Sequence, residues 1–239
     1  MLFRSVVTPE SFIYARRSFE LDFVPDAHLL ISCSTRYKLY INGRYAGRGP
    51  VERVGERQFF DVYPVKRYLR PGKNVIAAIC RHSDVNHSAG FLAQLNTDTT
   101  APPLLFTDGD WRVLPDADWI FPVEEGLMEC CDTSLKPVGW NVVGFDDSEW
   151  QEPEVMPIDP AMLLRRPIPF LSEMDCSPAE IASWGCGGSS TDGRLCITGV
   201  RGLLRTGPDA AVVEPAEGAW ITFDFGRAEI GRASCRERV

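Results

Sequence analysis

The chain has 239 residues, 44% of them hydrophobic, and a formal net charge of −8. That length supports one large domain or two smaller ones with a sizeable core, and the apolar fraction excludes wholesale disorder. The acidic balance argues against nucleic acid or an anionic membrane as a partner, and no apolar run approaches the roughly 20 residues of a membrane span. Met1-Leu2-Phe3-Arg4-Ser5 opens without an apolar signal segment, which predicts a cytoplasmic protein if Met1 is the true start.

Residues up to Pro9 read as a lead-in. Residues 12–23 read as a strand, with Phe19, Leu21 and Phe23 on one face and Ser18, Glu20 and Asp22 on the other. Pro25-Asp26 is a turn, and 27–33 is apolar enough for a central strand. Tyr37, Leu39 and Ile41 then alternate with Lys38 and Tyr40, the period of a half-buried strand. Asn42-Gly43 supplies the two positive-φ residues of a type I′ turn, and Arg44-Tyr45-Ala46 starts the return, which Gly47, Gly49 and Pro50 end. Residues 58–62 read as extended, 65–69 as one helical turn, 70–73 as a tight turn and 74–81 as a buried strand.

Residues 89–95 and 103–106 read as two further strands. Two Asp-x-x-Trp segments follow, 108–111 and 147–150, in which the Asp caps its own turn and the Trp covers the end of a sandwich. Between them 123–143 reads as mostly loop with a helical turn. Five prolines fall within 153–169, so this stretch has the composition of a linker. Beyond it Ile197, Val200, Leu203, Ala211-Val212-Val213 and Trp220-Ile221-Thr222-Phe223 read as strands. Residues 230–239 break with this pattern: they hold three arginines and no periodicity, and resemble the translation of a sequencing adapter. They are set aside from fold reasoning. No long helical periodicity occurs, which predicts an all-β chain. The expected division is 1–160 as a β-sandwich, 161–172 as a Pro-rich linker, 173–229 as the start of a second β domain, and 230–239 as an artefactual tail.

The order Tyr37-x-Leu39-Tyr40-Ile41-Asn42-Gly43-x-x-x-Gly47-x-Gly49-Pro50 resembles the N-terminal β-sandwich of bacterial α-L-rhamnosidases, a family of glycoside hydrolases. Ala15-Arg16-Arg17-Ser18-Phe19, Tyr68-Leu69-Arg70-Pro71-Gly72, Asp108-Gly109-Asp110-Trp111 and Asp146-Asp147-Ser148-Glu149-Trp150 carry the same resemblance, in the same order. Asp224-Phe225-Gly226-Arg227 resembles the point at which that family's next sandwich begins. The resemblance implies a jelly-roll, galactose-binding-like β-sandwich followed by the truncated start of a second β domain. It also implies a non-catalytic portion of an enzyme that hydrolyses terminal α-L-rhamnosides by inversion, the acidic catalytic residues lying on a helical barrel outside this chain. The chain alone is expected to be inactive, to meet carbohydrate through the parent enzyme and to pack against downstream domains.

The residues themselves carry little chemistry. Glu124-Glu125, Asp146-Asp147 and Asp108/Asp110 pair carboxylates, as an inverting glycosidase does, but each sits in a turn-like segment where acids cap or face water. His82, Asp84 and His87 lack a third strong metal ligand, and no metal or cofactor is expected. The eight cysteines include no C-x-x-C and read as thiols of a reducing compartment. Gly185-Cys186-Gly187-Gly188 reads as a plain loop. Sugar binding needs a flat aromatic face and polar groups aimed at hydroxyls, which makes Tyr45, Arg48, His82 and Trp140 the candidate site. The competing reading packs Tyr45 and Trp140 within or under the sandwich. Two other functional classes stay open, a free-standing carbohydrate-binding module and a structural sandwich.

Overall fold

The computed structural model describes residues 2–4, 11–83, 90–97, 102–115, 119–120, 130–131, 135–157, 159–173, 178–186, 197–198, 212–213 and 219–226. Val200, Leu203 and the tail 230–239 therefore lie outside the described residues, as does most of 123–134. The chain divides into two compact units, Met1–Pro169 and Phe170–Val239. Strand is the dominant element in both, and among the described residues there is no α-helix.

The first unit holds β1 (Leu2–Arg4), β2 (Ser11–Leu21), β3 (His28–Cys33), β4 (Arg36–Ile41), β5 (Arg44–Gly49), β6 (Gln58–Pro64) and β7 (Gly72–His82). It continues with β8 (Phe91–Asn96), β9 (Leu105–Phe106), β10 (Arg112–Pro115), β11 (Trp119–Ile120), β12 (Cys130–Cys131), β13 (Glu154–Met156) and β14 (Leu163–Arg165). Short 3₁₀ turns occupy Lys66–Tyr68 and Pro160–Met162. One sheet runs β13-β1-β8-β3-β6-β14, with β9 added beside β8; the other runs β10-β2-β7-β4-β5. The two form a β-sandwich.

Alternation builds the core between the sheets. From the five-stranded sheet Ile13, Ala15, Leu39, Ile41, Ile76, Ala78 and Val113 point inward; Leu29, Ile31, Ala93 and Leu95 meet them from the other. Each fully buried Leu or Ile here is worth about 1.5–3 kcal/mol over leaving it in water. The opposite face of the five-stranded sheet is also buried. Phe12, Tyr14, Val75, Ala77 and Ile79 form a second cluster, closed by Trp140 and Trp150 with Tyr40, Val143 and Phe145 packed against it. The segment 135–151 thus roofs the outer face, which is why β7 is apolar without interruption rather than alternating.

The hairpin forms as its turn residues require. Asn42 and Gly43 have φ of 51° and 79°. The Asn42 N–H donates to Val75 O at 3.0 Å, its Oδ1 accepts from the Val75 N–H at 2.9 Å, and the Gly43 N–H donates to Asn141 O at 2.8 Å. A side chain on Gly43 would press to 2.9 Å from Val142 Cγ1, so the roof needs glycine there.

Within 161–172, the stretch expected as a linker, β14 lies parallel to β6 with Leu164 opposite Phe59. The Arg166 N–H extends that ladder to Phe60 O at 2.9 Å. Prolines flank this piece at 160 and 167, but Leu163-Leu164 between them is free to pair, and the boundary between the units falls after Pro169.

The second unit contains β15 (Glu180–Cys186), β16 (Ile197–Thr198), β17 (Val212–Val213) and β18 (Ala219–Asp224). β15 pairs antiparallel with β18 across an irregularity between Ile181 and Ser183, and β16 pairs with β17. Gly185 and Cys186 close a strand rather than sit in a loop, because they continue the ladder of Ile181, Ser183 and Trp184 opposite Trp220 and Ala219.

Candidate functional site

The four residues singled out for sugar binding do not converge on one point. Tyr45 stands on the edge strand β5, 43% exposed, with its ring 5.9 Å from that of Tyr40 and tilted edge-on. Tyr40 in turn meets Trp140 at 5.5 Å, and Trp140 meets Tyr14 at 4.8 Å. These rings make a continuous row leading from the edge into the second cluster. Trp140 lies at its inner end, 4% exposed, and presents no face to solvent. Arg48 is exposed on the same edge strand, opposite Lys38, and its carbonyl accepts a bond from the Tyr63 hydroxyl at 3.1 Å.

His82 is elsewhere. It continues the inward-facing row of β7, on the opposite face of the sheet from Tyr40, and is buried. Its Nδ1 is 3.1 Å from Ser34 Oγ, beside a small cleft lined by Ile13, Cys80 and Phe91. Cys80 and Cys33 face one another here as buried free thiols, and burial first, then the Cys33 contact, pushes the Cys80 thiol up. Tyr45 and Arg48 therefore share one strand, Trp140 joins Tyr45 through Tyr40, and His82 stands apart.

The carboxylate pairs are engaged in local structure. Asp108 Oδ1 accepts from the Asp110 N–H at 3.0 Å, and Asp146 Oδ1 from the Ser148 N–H at 3.1 Å. Hydrogen bonds from the Ser148 side chain and backbone lower the Asp146 pKa. Asp110 pairs with Arg17 at 2.7 Å, and Asp147 with Arg16. Arg16 is 1% exposed and also donates to Val142 O at 3.2 Å and Phe145 O at 3.4 Å. Desolvation lowers its pKa, against the raising effect of Asp147's charge and hydrogen bond. Glu124, Glu125, Asp84 and His87 lie outside the described residues. Among the described residues no group of three or more His, Cys, Asp or Glu is placed to hold a metal.

Sequence reasoning missed one buried polar cluster. Asp61, 0% exposed, accepts from the Tyr37 hydroxyl and pairs with Arg166, whose Nε lies 2.5 Å from Oδ1 and whose Nη2 lies 3.3 Å from Oδ2. The Tyr37 and Tyr63 hydroxyls are 3.2 Å apart. Burial, then the Tyr63 and Asp61 neighbours, pushes the Tyr37 phenol far above its ordinary value. A Cβ on Gly49 would collide with Asp61 Oδ2 and lie 2.8 Å from Tyr37 Oη. The edge strand therefore passes over this cluster as bare backbone. Parity was the available signal: Phe59, Asp61 and Tyr63 share one face of β6, which places the carboxylate on the core side. Asp61 and Tyr37 are sealed from solvent and only Arg166 keeps part of its surface outside, so the cluster ties β4, β6 and the segment after β14 together.

No protein-family model matches the sequence, and no curated protein does. Solved structures do. A GH78 family rhamnosidase of Bacillus sp. GL1 superposes with a TM-score of 0.67 at 27% identity, over 77% of this chain and 21% of that one. The α-L-rhamnosidase of Aspergillus terreus gives 0.56 at 20% identity over 77% and 24%. That of Dictyoglomus thermophilum gives 0.51 at 20% over 70% and 20%. The chain is thus similar to α-L-rhamnosidases across most of its own length, and spans only about a quarter or less of theirs.

Proposed function

We propose that this chain is the non-catalytic N-terminal portion of an α-L-rhamnosidase-like glycoside hydrolase. The observation that carries the reading is the 27% identical superposition on the Bacillus enzyme, spread over most of this chain but only about a fifth of that enzyme. The engagement of Asp108, Asp110, Asp146 and Asp147 in turns and arginine pairs supports it, because a glycosidase needs two carboxylates aimed at a sugar across open space. The whole enzyme would hydrolyse terminal α-L-rhamnosides, and the sandwich would pack against its further domains. Leu104 and Phe106 are exposed beside β8, a start for such a contact. Purified chain should release no rhamnose from an aryl rhamnoside, whereas the protein encoded by the extended reading frame should. Release by the chain alone would overturn the proposal.

A second reading, a free-standing carbohydrate-binding module, is favoured by Tyr45, whose exposed ring sits beside Arg48 and Lys38 on an open edge. Titration with L-rhamnose separates the two: saturable binding lost in Tyr45→Ala supports the module. A reducing, cytoplasmic setting fits the buried free thiols of Cys33 and Cys80.

A further inference from the structure

Charge is unevenly distributed along this acidic chain. Residues 36–73 carry ten Lys and Arg against three Asp and Glu, while the other residues carry fifteen against thirty. The fold gathers half of those ten cations at one corner. Asn42 Nδ2 at the hairpin tip donates to Tyr68 O and to Asn74 Oδ1, both at 2.8 Å. The buried Asn74 in turn accepts from the Arg70 N–H at 3.0 Å and donates to Arg70 O at 2.7 Å and Gly72 O at 2.8 Å. Two asparagines thus lock the hairpin tip, the 3₁₀ turn and the 70–73 turn together. They bring Arg44, Lys66, Arg67, Arg70 and Lys73 to one exposed surface.

Two of these cations share a ring. The guanidinium carbons of Arg44 and Arg67 lie 5.1 and 4.8 Å from the Tyr68 ring centre. Arg44 Nη1 donates to Arg67 O at 3.1 Å, and Arg67 Nη2 to Tyr68 Oη at 2.7 Å. Among the described residues none of the five cations meets a carboxylate at ion-pair distance, although Arg16, Arg17 and Arg112 on the same sheet all do. A corner of like charge that pairs with no carboxylate among the described residues, with Glu20 opposite Lys73 as its one neighbouring acid by register, is poised for an external anion.

We propose that this corner binds a glycan bearing carboxylate groups. The inference rests on the carbohydrate-directed reading above and gives it a ligand class. Guanidinium forks match carboxylates two bonds at a time, and stacking on Tyr68 fixes their planes in advance, so little order is lost on binding. Tyr45, next along the strand from Arg44, faces the other side of the sheet with Tyr40, so the corner recognises its ligand through cations and the Tyr68 ring alone. Nucleic acid fits less well. Its phosphates, about one charge per 1.7 Å of duplex, far outnumber the five cations of the corner, whereas a uronate chain carries its charge more sparsely.

The test is calorimetric titration of the full chain with polygalacturonate, with dextran as the neutral glycan and duplex DNA as the other polyanion. Saturable binding to polygalacturonate is expected, with none to dextran and weakening as salt is raised. Lys66→Gln with Lys73→Gln should weaken it tenfold or more with the melting temperature unchanged, because neither side chain joins the asparagine lock and no like charge is set against Glu20 opposite Lys73. No binding to polygalacturonate, equal or tighter binding to DNA, or an affinity indifferent to the double substitution would each overturn the proposal. Rhamnose release by the extended protein is a separate readout, so the ligand class and the parent-enzyme reading fail independently.

Discussion

The two Asp-x-x-Trp turns share their Asp, an acid at the third place and their Trp, and each is held by an arginine of β2, yet they do opposite things. Arg16 and Arg17 are neighbours and therefore point to opposite faces of the sheet. Arg17 takes the 108–111 turn, whose Trp111 enters the inter-sheet core, donates Nε1–H to Phe106 O at 3.0 Å and meets Phe91 edge-on at 5.1 Å. Arg16 takes the 147–150 turn, whose Trp150 closes the roofed outer face near Tyr14 and Phe145. One ion pair is wetter than the other: the Arg17 and Asp110 side chains are 20% and 70% exposed, those of Arg16 and Asp147 1% and 28%. The local motif makes the turn, and strand parity decides what the turn is worth.

Trp111→Ala should cost most, about 4 kcal/mol, with Trp150→Ala nearer 3, both read from denaturant midpoints. Equal small losses would mean that neither turn anchors its face. Next comes Asp147→Ala, which strands the buried Arg16 charge and should cost about 3 kcal/mol. Joining it to Arg16→Met should recover most of that loss, since both charges are then gone.

Alkali distinguishes the inter-sheet core in another way. Burial keeps Cys80 and Tyr37 protonated when folded, so their folded pKa values lie above their unfolded ones. That stabilisation is complete below the unfolded values, about 8.5 and about 10, and is lost as pH rises past them. The loss approaches about 1.4 kcal/mol per pH unit for each group. Urea midpoints should fall between about pH 8 and pH 11, and Cys80→Ala should flatten the early part of that fall. A flat profile would show that the thiol and phenol titrate as freely folded as unfolded. Smallest of all, Asp110→Ala should cost well under about 1 kcal/mol, because its partner Arg17 keeps water and Asp108 nearby.

Much of the sandwich was legible. Period-2 alternation placed β2 and β4, and continuous apolar runs placed β3 and β7, to within a few residues, with β6 read as extended, and Asn42-Gly43 fixed the hairpin turn. Two things were not legible. The roof over the outer face comes from 135–151, a stretch with no strand or helix period, and only its partner betrayed it: the unbroken apolar run of β7 demanded cover on both faces. The docking of β14 was hidden by the prolines around it, since composition reports flexibility and says nothing of two leucines able to pair. At the candidate site, Tyr45 and Arg48 fell on an exposed strand as sequence suggested, but no one-dimensional signal tells that Tyr40 lies between Tyr45 and Trp140. Arg16 was invisible for the same reason: an arginine in a strand reads as solvent-facing until the segment that covers it is known.

The hairpin leaves β5 as the rim of its sheet, a row of backbone donors and acceptors with no neighbour beyond it among the described residues. Such rims recruit strands from other molecules. This one is poorly suited to recruitment. Its register with β4 slips between Leu39 and Tyr40, its outward positions carry Arg44 and Arg48, and Pro50 follows at once with no N–H to offer. Gly47 and Gly49, needed because the strand crosses Tyr63 and Asp61 at close range, also deprive an incoming strand of side chains to grip. The same few residues that let the hairpin settle over a buried carboxylate thereby make it a poor template for fibril growth, so concentrated solutions of the sandwich should stay free of stacked β-aggregates.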